Sequence, residues 1–155
     1  MAGWYNKVST TLDHLPDCIE HFEGELEVAR KTDLNLKGKP IERLSAEMPG
    51  IVEHRYNQLQ EIEAILEHMN ADLRRIRSDK FRKYIEHYNR ALTASEAMKY
   101  VDGEADVVNH AALVNEFALL RNKWIGLHKA LETKNFQINN IVKLRTAGLD
   151  DATIM

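Results

Sequence analysis

Residues 113–141, LVNEFALLRNKWIGLHKALETKNFQINNI, place apolar side chains in alternating steps of four and three. From Leu113 the steps land on Phe117, Leu120, Trp124, Leu127, Leu131, Lys134, Ile138 and Ile141, and only Lys134 interrupts the apolar run. A repeat of about 3.5 residues keeps one stripe facing a partner helix along its whole length, whereas a helix on a globular core drifts toward about 3.6. The stretch therefore predicts a long helix built against another helix. That partner is expected to come from another subunit, which makes Leu113, Phe117, Leu120, Trp124, Leu127, Leu131, Ile138 and Ile141 the expected oligomerisation seam.

The rest of the chain predicts an all-α, elongated protein. With 155 residues there is room for one domain, and 7 Gly and 3 Pro beside 29% charged residues favour helices over sheet. Working back from the seam, Val101 to Asp106 reads as an acidic turn, and Thr93 to Glu96 as the cap of a short helix. Between Ile51 and Gly103 there is neither Gly nor Pro, so 51–92 reads as one long helix with Val52, Tyr56, Leu59, Ile62, Leu66, Met69, Leu73 and Ile76 on one face. The Pro49-Gly50 pair is the clearest internal boundary. Ahead of it, 12–31 has helical spacing through Leu15, Ile19, Phe22, Leu26 and Ala29, and Pro40 opens a short helix ending near Glu47. The single domain thus divides into 1–50, 51–92, 93–148 and a tail, 149–155, expected to fray.

Enzyme chemistry finds little support. The chain has no phosphate-cradling glycine loop, no CxxC and no HExxH. Helical bundles hold di-iron centres through Glu-x-x-His, yet the residues three before the seven histidines are Thr11, Cys18, Ile51, Ile65, Tyr84, Val107 and Ile125. No metal and no cofactor is expected. Cys18 has no disulfide partner and stands among acidic residues that would raise its pKa, which suits a structural thiol. The N-terminus lacks the pattern of a signal peptide, and no apolar run reaches the ~20 residues of a membrane span, so the chain reads as soluble and cytoplasmic, without a membrane partner.

Charge is segregated beneath a net of -3: residues 1–70 carry -6, 71–92 carry +4 and 93–155 carry -1. The basic island comprises Arg74, Arg75, Arg77, Lys80, Arg82 and Lys83, interrupted by Asp79. On a helix Arg74 and Arg77 share a side with Lys80 or Lys83, a cationic strip suited to phosphates. Tyr84 and Tyr88 follow, and aromatic rings beside cations are what single strands stack on. Against this stand a merely solvated charged face and tyrosines packed in a core.

The string SEAMKYVDGEADVV at 95–108, followed by the seam helix and LETKNFQINNIVKLRTAG at 131–148, resembles the UvsY-type recombination mediators of T-even-like tailed phages. That family closes its long helix with a [KR]-x-[FW]-x-I-x-x-[IV]-x-x-x-R signature, matched here by Lys134, Phe136, Ile138, Ile141 and Arg145. The likeness covers about the last sixty residues. Upstream it is one of layout: PGIVEHRYNQLQEIEAIL at 49–66 is similar to the family's middle region, and LRRIR at 73–77 occupies the place of its DNA-holding Lys/Arg motif, with Arg74 the best match and Arg75 or Arg77 the second. The resemblance implies a non-enzymatic mediator of DNA recombination and repair in the infected host cell. Such proteins form a homo-oligomeric ring of six or seven subunits through their C-terminal helices, bind single-stranded DNA, loosen the single-strand-binding protein and load a RecA-like recombinase. A phage virion or assembly component and a helical adaptor without DNA binding are the alternatives.

Overall fold

The computed structural model describes residues 3–148, and among them the regular structure is entirely helical. Five α-helices follow in order: α1 Trp4–Thr10, α2 Leu15–Val28, α3 Ile41–His87, α4 Ala94–Asp102 and α5 Ala105–Thr146. A 3-10 turn, Leu12–His14, links the first two, and α2 ends in a π turn, Ala29–Asp33. Residues 149–155, expected to fray, lie outside the described residues.

The frame is the long pair α3 and α5. At 47 and 42 residues they are about 70 and 63 Å long. They run antiparallel: Leu44 and Met48 near the start of α3 pack with Ile138 late in α5, whereas Lys80 late in α3 pairs with Asp106 at the start of α5. Helix α2 lies beside them parallel to α5, since Phe22 meets Trp124 and Asp33 meets Lys134. Across the middle this makes a three-helix bundle, and Cys18, Phe22, Leu26, Ile62, Ile65, Met69, Phe117, Trp124 and Leu131 are buried in its core. Each large side chain so buried contributes ~1.5–3 kcal/mol.

The seam side chains are spent on this intramolecular core. Phe117, Leu120, Trp124, Leu127 and Leu131 are buried with α2 and α3 of the same chain, and Ile138 with Leu44 and Met48. Leu113 and Ile141 are half-buried. This corrects the expectation that the seam joins subunits: a repeat of about 3.5 signals a long helical partner, and α3 is such a partner within the chain. Lys134, the interruption, is itself buried, and its ammonium donates to the carbonyl of Asp33 at the end of the π turn.

Pro49-Gly50, read as a boundary, lies inside α3. Proline cannot donate to the carbonyl of residue 45, but Ser45, Pro49 and Gly50 are all exposed, so that carbonyl faces water. Leu44 and Met48, buried on the opposite side, hold the helix in place across the interruption. The short helix starting at Pro40 and the long one starting at Ile51 are therefore one. At the other end α3 stops at His87, and α4 opens on a capping box: Thr93 Oγ1 accepts from the Glu96 amide while Glu96 accepts from that of Thr93. Helix α1 went unseen in the sequence because seven residues carry little periodicity. It is held from a distance, its Trp4 amide donating to Glu61 Oε1 of α3 at 2.8 Å.

Candidate nucleic-acid interface

The basic island lies on the last four turns of α3, beyond the three-helix core, where α4 and the start of α5 pack against it. Winding of the helix divides the six cations between two sides. Arg77 and Lys80 face the neighbouring helices. The Arg77 guanidinium meets the Asp102 carboxylate at 2.8 Å, and the Lys80 ammonium lies 3.2 Å from Asp106 and 3.9 Å from Glu104. The other four point to water. Arg74 pairs with Glu67 at 3.0 Å, Arg75 lies 3.6 Å from Asp72 and 3.9 Å from Asp79, and Arg82 is 3.4 Å from Glu86. Lys83 is exposed and meets no carboxylate among the described residues.

The single strip of Arg74, Arg77 and Lys80 or Lys83 is therefore not what the fold presents. The acidic turn reaches across to α3. Glu104, the residue before that helix, accepts a hydrogen bond of 2.5 Å from the Tyr84 hydroxyl, which raises the phenol's pKa. Arg77 and Lys80 are thereby committed to holding α4 and α5 in place. Arg74, Arg75, Arg82 and Lys83 form the outward cationic face. Arg74 and Arg82 keep 66% and 72% of their side-chain surface in water. Ion pairs this exposed are worth ~0–1 kcal/mol, so a phosphate can displace the carboxylate at small cost.

On the side of α3 that carries Lys80, where the Tyr84 hydroxyl meets Glu104, stand three tyrosines, of which the sequence pointed to two. Tyr84 and Tyr100 are stacked with ring centroids 5.4 Å apart and planes at 24°, and Tyr88 lies 5.6 Å from Tyr100 and 5.8 Å from Tyr84. Tyr88 and Tyr100 are 39% and 40% exposed, so ring faces remain available to a flat partner. Tyr100 comes from α4, and only the folding of α4 back onto α3 brings it here; its place immediately before the acidic turn gave no hint of this. Arg90, also outside the expected set, lies 3.7 Å from Glu96 just beyond the tyrosines.

The buried polar side chains, Arg55, His110 and Lys134, hold the helices together. Arg55, 6% exposed, donates to Asp33 Oδ2 at 2.6 Å, Glu25 Oε2 at 2.8 Å and Gln58 Oε1 at 2.9 Å. Hydrogen bonding from Gln58, then from Arg55, lowers the Glu25 pKa despite the opposing cost of burial. Burial also lowers the Lys134 pKa, with Lys39 adding to the effect. His110, buried, donates from Nε2 to the Met69 carbonyl at 3.0 Å. The Cys18 thiol is pushed up to about 12 by burial and then by Glu61. No group of three metal-donor side chains occurs among the described residues, and no helix is long and apolar enough to cross a membrane. Compared with protein families, curated proteins and solved structures, the chain matches none.

Proposed function

We propose that the chain is a non-enzymatic single-stranded DNA-binding protein that acts as a recombination mediator, the function implied by its likeness to UvsY-type proteins. The observation that carries the DNA step is that the last turns of α3 hold the outward cations Arg74, Arg75, Arg82 and Lys83 and, around the helix from them, the half-exposed rings of Tyr88 and Tyr100. Phosphates would replace the exposed carboxylate partners while bases stack on the tyrosines, the two kinds of contact that proteins combine on single strands. Duplex DNA, whose bases are already stacked, would gain only the ionic part.

One copy of this face offers few phosphate contacts and would bind weakly. Several copies on one assembly would act as linked sites at high effective concentration, which is the physical reason a mediator of this kind would be multimeric. In this reading a ring, expected to hold six or seven copies, binds the strand, loosens the single-strand-binding protein and offers the strand to a RecA-like recombinase. The surfaces that join copies lie outside the buried seam.

A helical adaptor without DNA binding is the second reading. It is favoured by the carboxylates that face five of the six cations. Binding of a labelled thymidine oligonucleotide measured against salt separates the two. Two to four phosphates neutralised per face give a log–log slope of about -1.4 to -2.8, with single strands preferred to duplex. Absence of binding at low salt would remove the mediator reading.

A further inference from the structure

We propose that the groove between α2 and the early part of α5 is a docking site for one amphipathic helix of a different protein, apolar along one stripe and flanked by Lys or Arg. None of the residues that line the groove belongs to the DNA face.

The floor is apolar. Leu12, Leu15, Pro16, Ile19 and Leu113 line a groove of about 570 Å³. Leu15 is sealed into the core, but Leu12, Ile19 and Leu113 are only half-buried and Pro16 is exposed, so apolar surface is left uncovered here. Leu119, 57% exposed, stands one turn beyond Glu116 on α5 and extends that surface along the helix. Covering it removes apolar area from water, which supplies affinity without choosing a partner.

The rim chooses the charge. Asp13, Glu20, Glu23 and Glu116 surround the floor, and all four are exposed. None of them meets a cationic side chain among the described residues, whereas Asp102 and Asp106, beside the basic island, are each held by one. Residues 12–28 contain six carboxylates and no Lys or Arg. Such a surface repels nucleic acid, anionic membranes and acidic peptides, and it steers a basic partner in.

The shape selects a helix. Two parallel helices side by side leave a furrow into which a third packs its ridges. From Leu12 to Glu23 the furrow runs about 17 Å, the length of about eleven helical residues. An extended segment would find no strand edge to pair with among the described residues and would lay unsatisfied backbone groups on an apolar floor, whereas a helix brings its hydrogen bonds with it. Anchors at i, i+4 and i+7 cover about 10 Å of floor and leave the flanking positions over Glu20, Glu23 and Glu116 for Lys or Arg.

The test uses the full chain and, as probe, a fluorescein-labelled helical peptide of about fifteen residues with Leu along one stripe and Lys beside it, followed by anisotropy. The parent should bind this peptide and not its counterpart with Glu in place of Lys. Glu20→Lys with Glu23→Lys should weaken binding at least about tenfold. Glu42→Lys with Glu53→Lys, at exposed positions of α3 outside the groove, changes the net charge equally and should have little effect. Ile19→Ala should weaken binding while keeping the parent's salt dependence, because it removes floor and not rim. Helical circular dichroism should be that of the parent in every variant. Absence of binding by the parent, or binding that the groove variants leave unchanged, would overturn the assignment. So would a groove variant that alters the mass of the chain alone in sedimentation velocity, since the occupant would then be a second copy.

Discussion

The Arg77 guanidinium of α3 lies 2.8 Å from the Asp102 carboxylate of α4, which turns part of a basic sequence into a clasp between helices. Replacing Asp102 and Asp106 with Asn would leave Arg77 and Lys80 with weaker partners and return them to the cationic face. Affinity for a single-stranded oligonucleotide should rise, and the salt slope should steepen by about 0.7 for each cation recruited. An unchanged slope would mean that these two side chains stay out of reach of phosphate even when released.

Cations and tyrosines should leave different signatures. Arg75→Ala with Arg82→Ala should weaken binding and flatten the salt slope by about 1.4. Tyr88→Ala and Tyr100→Ala should each weaken it by about 1–3 kcal/mol while the slope stays that of the parent. Titrations at several salt concentrations report both quantities at once. Tyrosine variants that change the slope but not the low-salt affinity would reverse these assignments.

Trp124 belongs to the core of a single chain, its indole donating to the Phe22 carbonyl at 3.3 Å and its ring edge-on to that of Phe22. Trp124→Ala should cost about 3–5 kcal/mol of folding stability by chemical denaturation. Placing Asp at both 124 and 131 should unfold the chain, seen as loss of helical circular dichroism. A variant that stays fully helical and merely dissociates would return the seam to its expected role between subunits.

Acid should loosen the end of α2. Because the folded-state pKa of Glu25 is depressed below its ordinary 4.5, its carboxylate adds stability above that pH, and the contribution is lost as pH falls through the lower, folded value. Glu25→Gln should lower stability near neutrality and flatten the acid limb of a plot of denaturation midpoint against pH. Parallel limbs in parent and variant would place the acid sensitivity elsewhere.

Thiol chemistry gives a direct reading of core integrity. With Cys18 fully buried and its pKa pushed up to about 12, Ellman's reagent in mildly alkaline solution should find no reactive thiol in the native chain and one in denaturant. Rapid labelling of the native protein would show that α2 opens readily.

The helical class and the extent of α5 were legible because apolar residues recur over many turns, and Thr93 with Glu96 declared the start of α4. What misled was information that lives between elements. Pro49 and Gly50 are local breakers, but the burial of Leu44 and Met48 against Ile138 carries the helix through them. The seam declared that it needed a helix without saying whose. The basic island was visible as a run, but Asp102, Glu104 and Asp106 stand some twenty-five residues downstream of Arg77 and Lys80, and nothing in either segment says that they meet. Tyr100 joined the candidate site for the same reason, by the folding back of α4.

The π turn at Ala29–Asp33 makes the count of residues here matter more than their identity. Its wide winding, in which the Leu34 amide donates to the carbonyl of Ala29 rather than to that of residue 30, carries Asp33 to where its carbonyl receives Lys134 and its carboxylate receives Arg55. A further inserted residue could not be absorbed by a turn already so wide, and would swing everything after it by about 100° around the axis. Arg30, Lys31 and Thr32, all exposed, can change side chain freely by comparison. Across descendants of this sequence, substitutions should accumulate in the turn while insertions are purged from it.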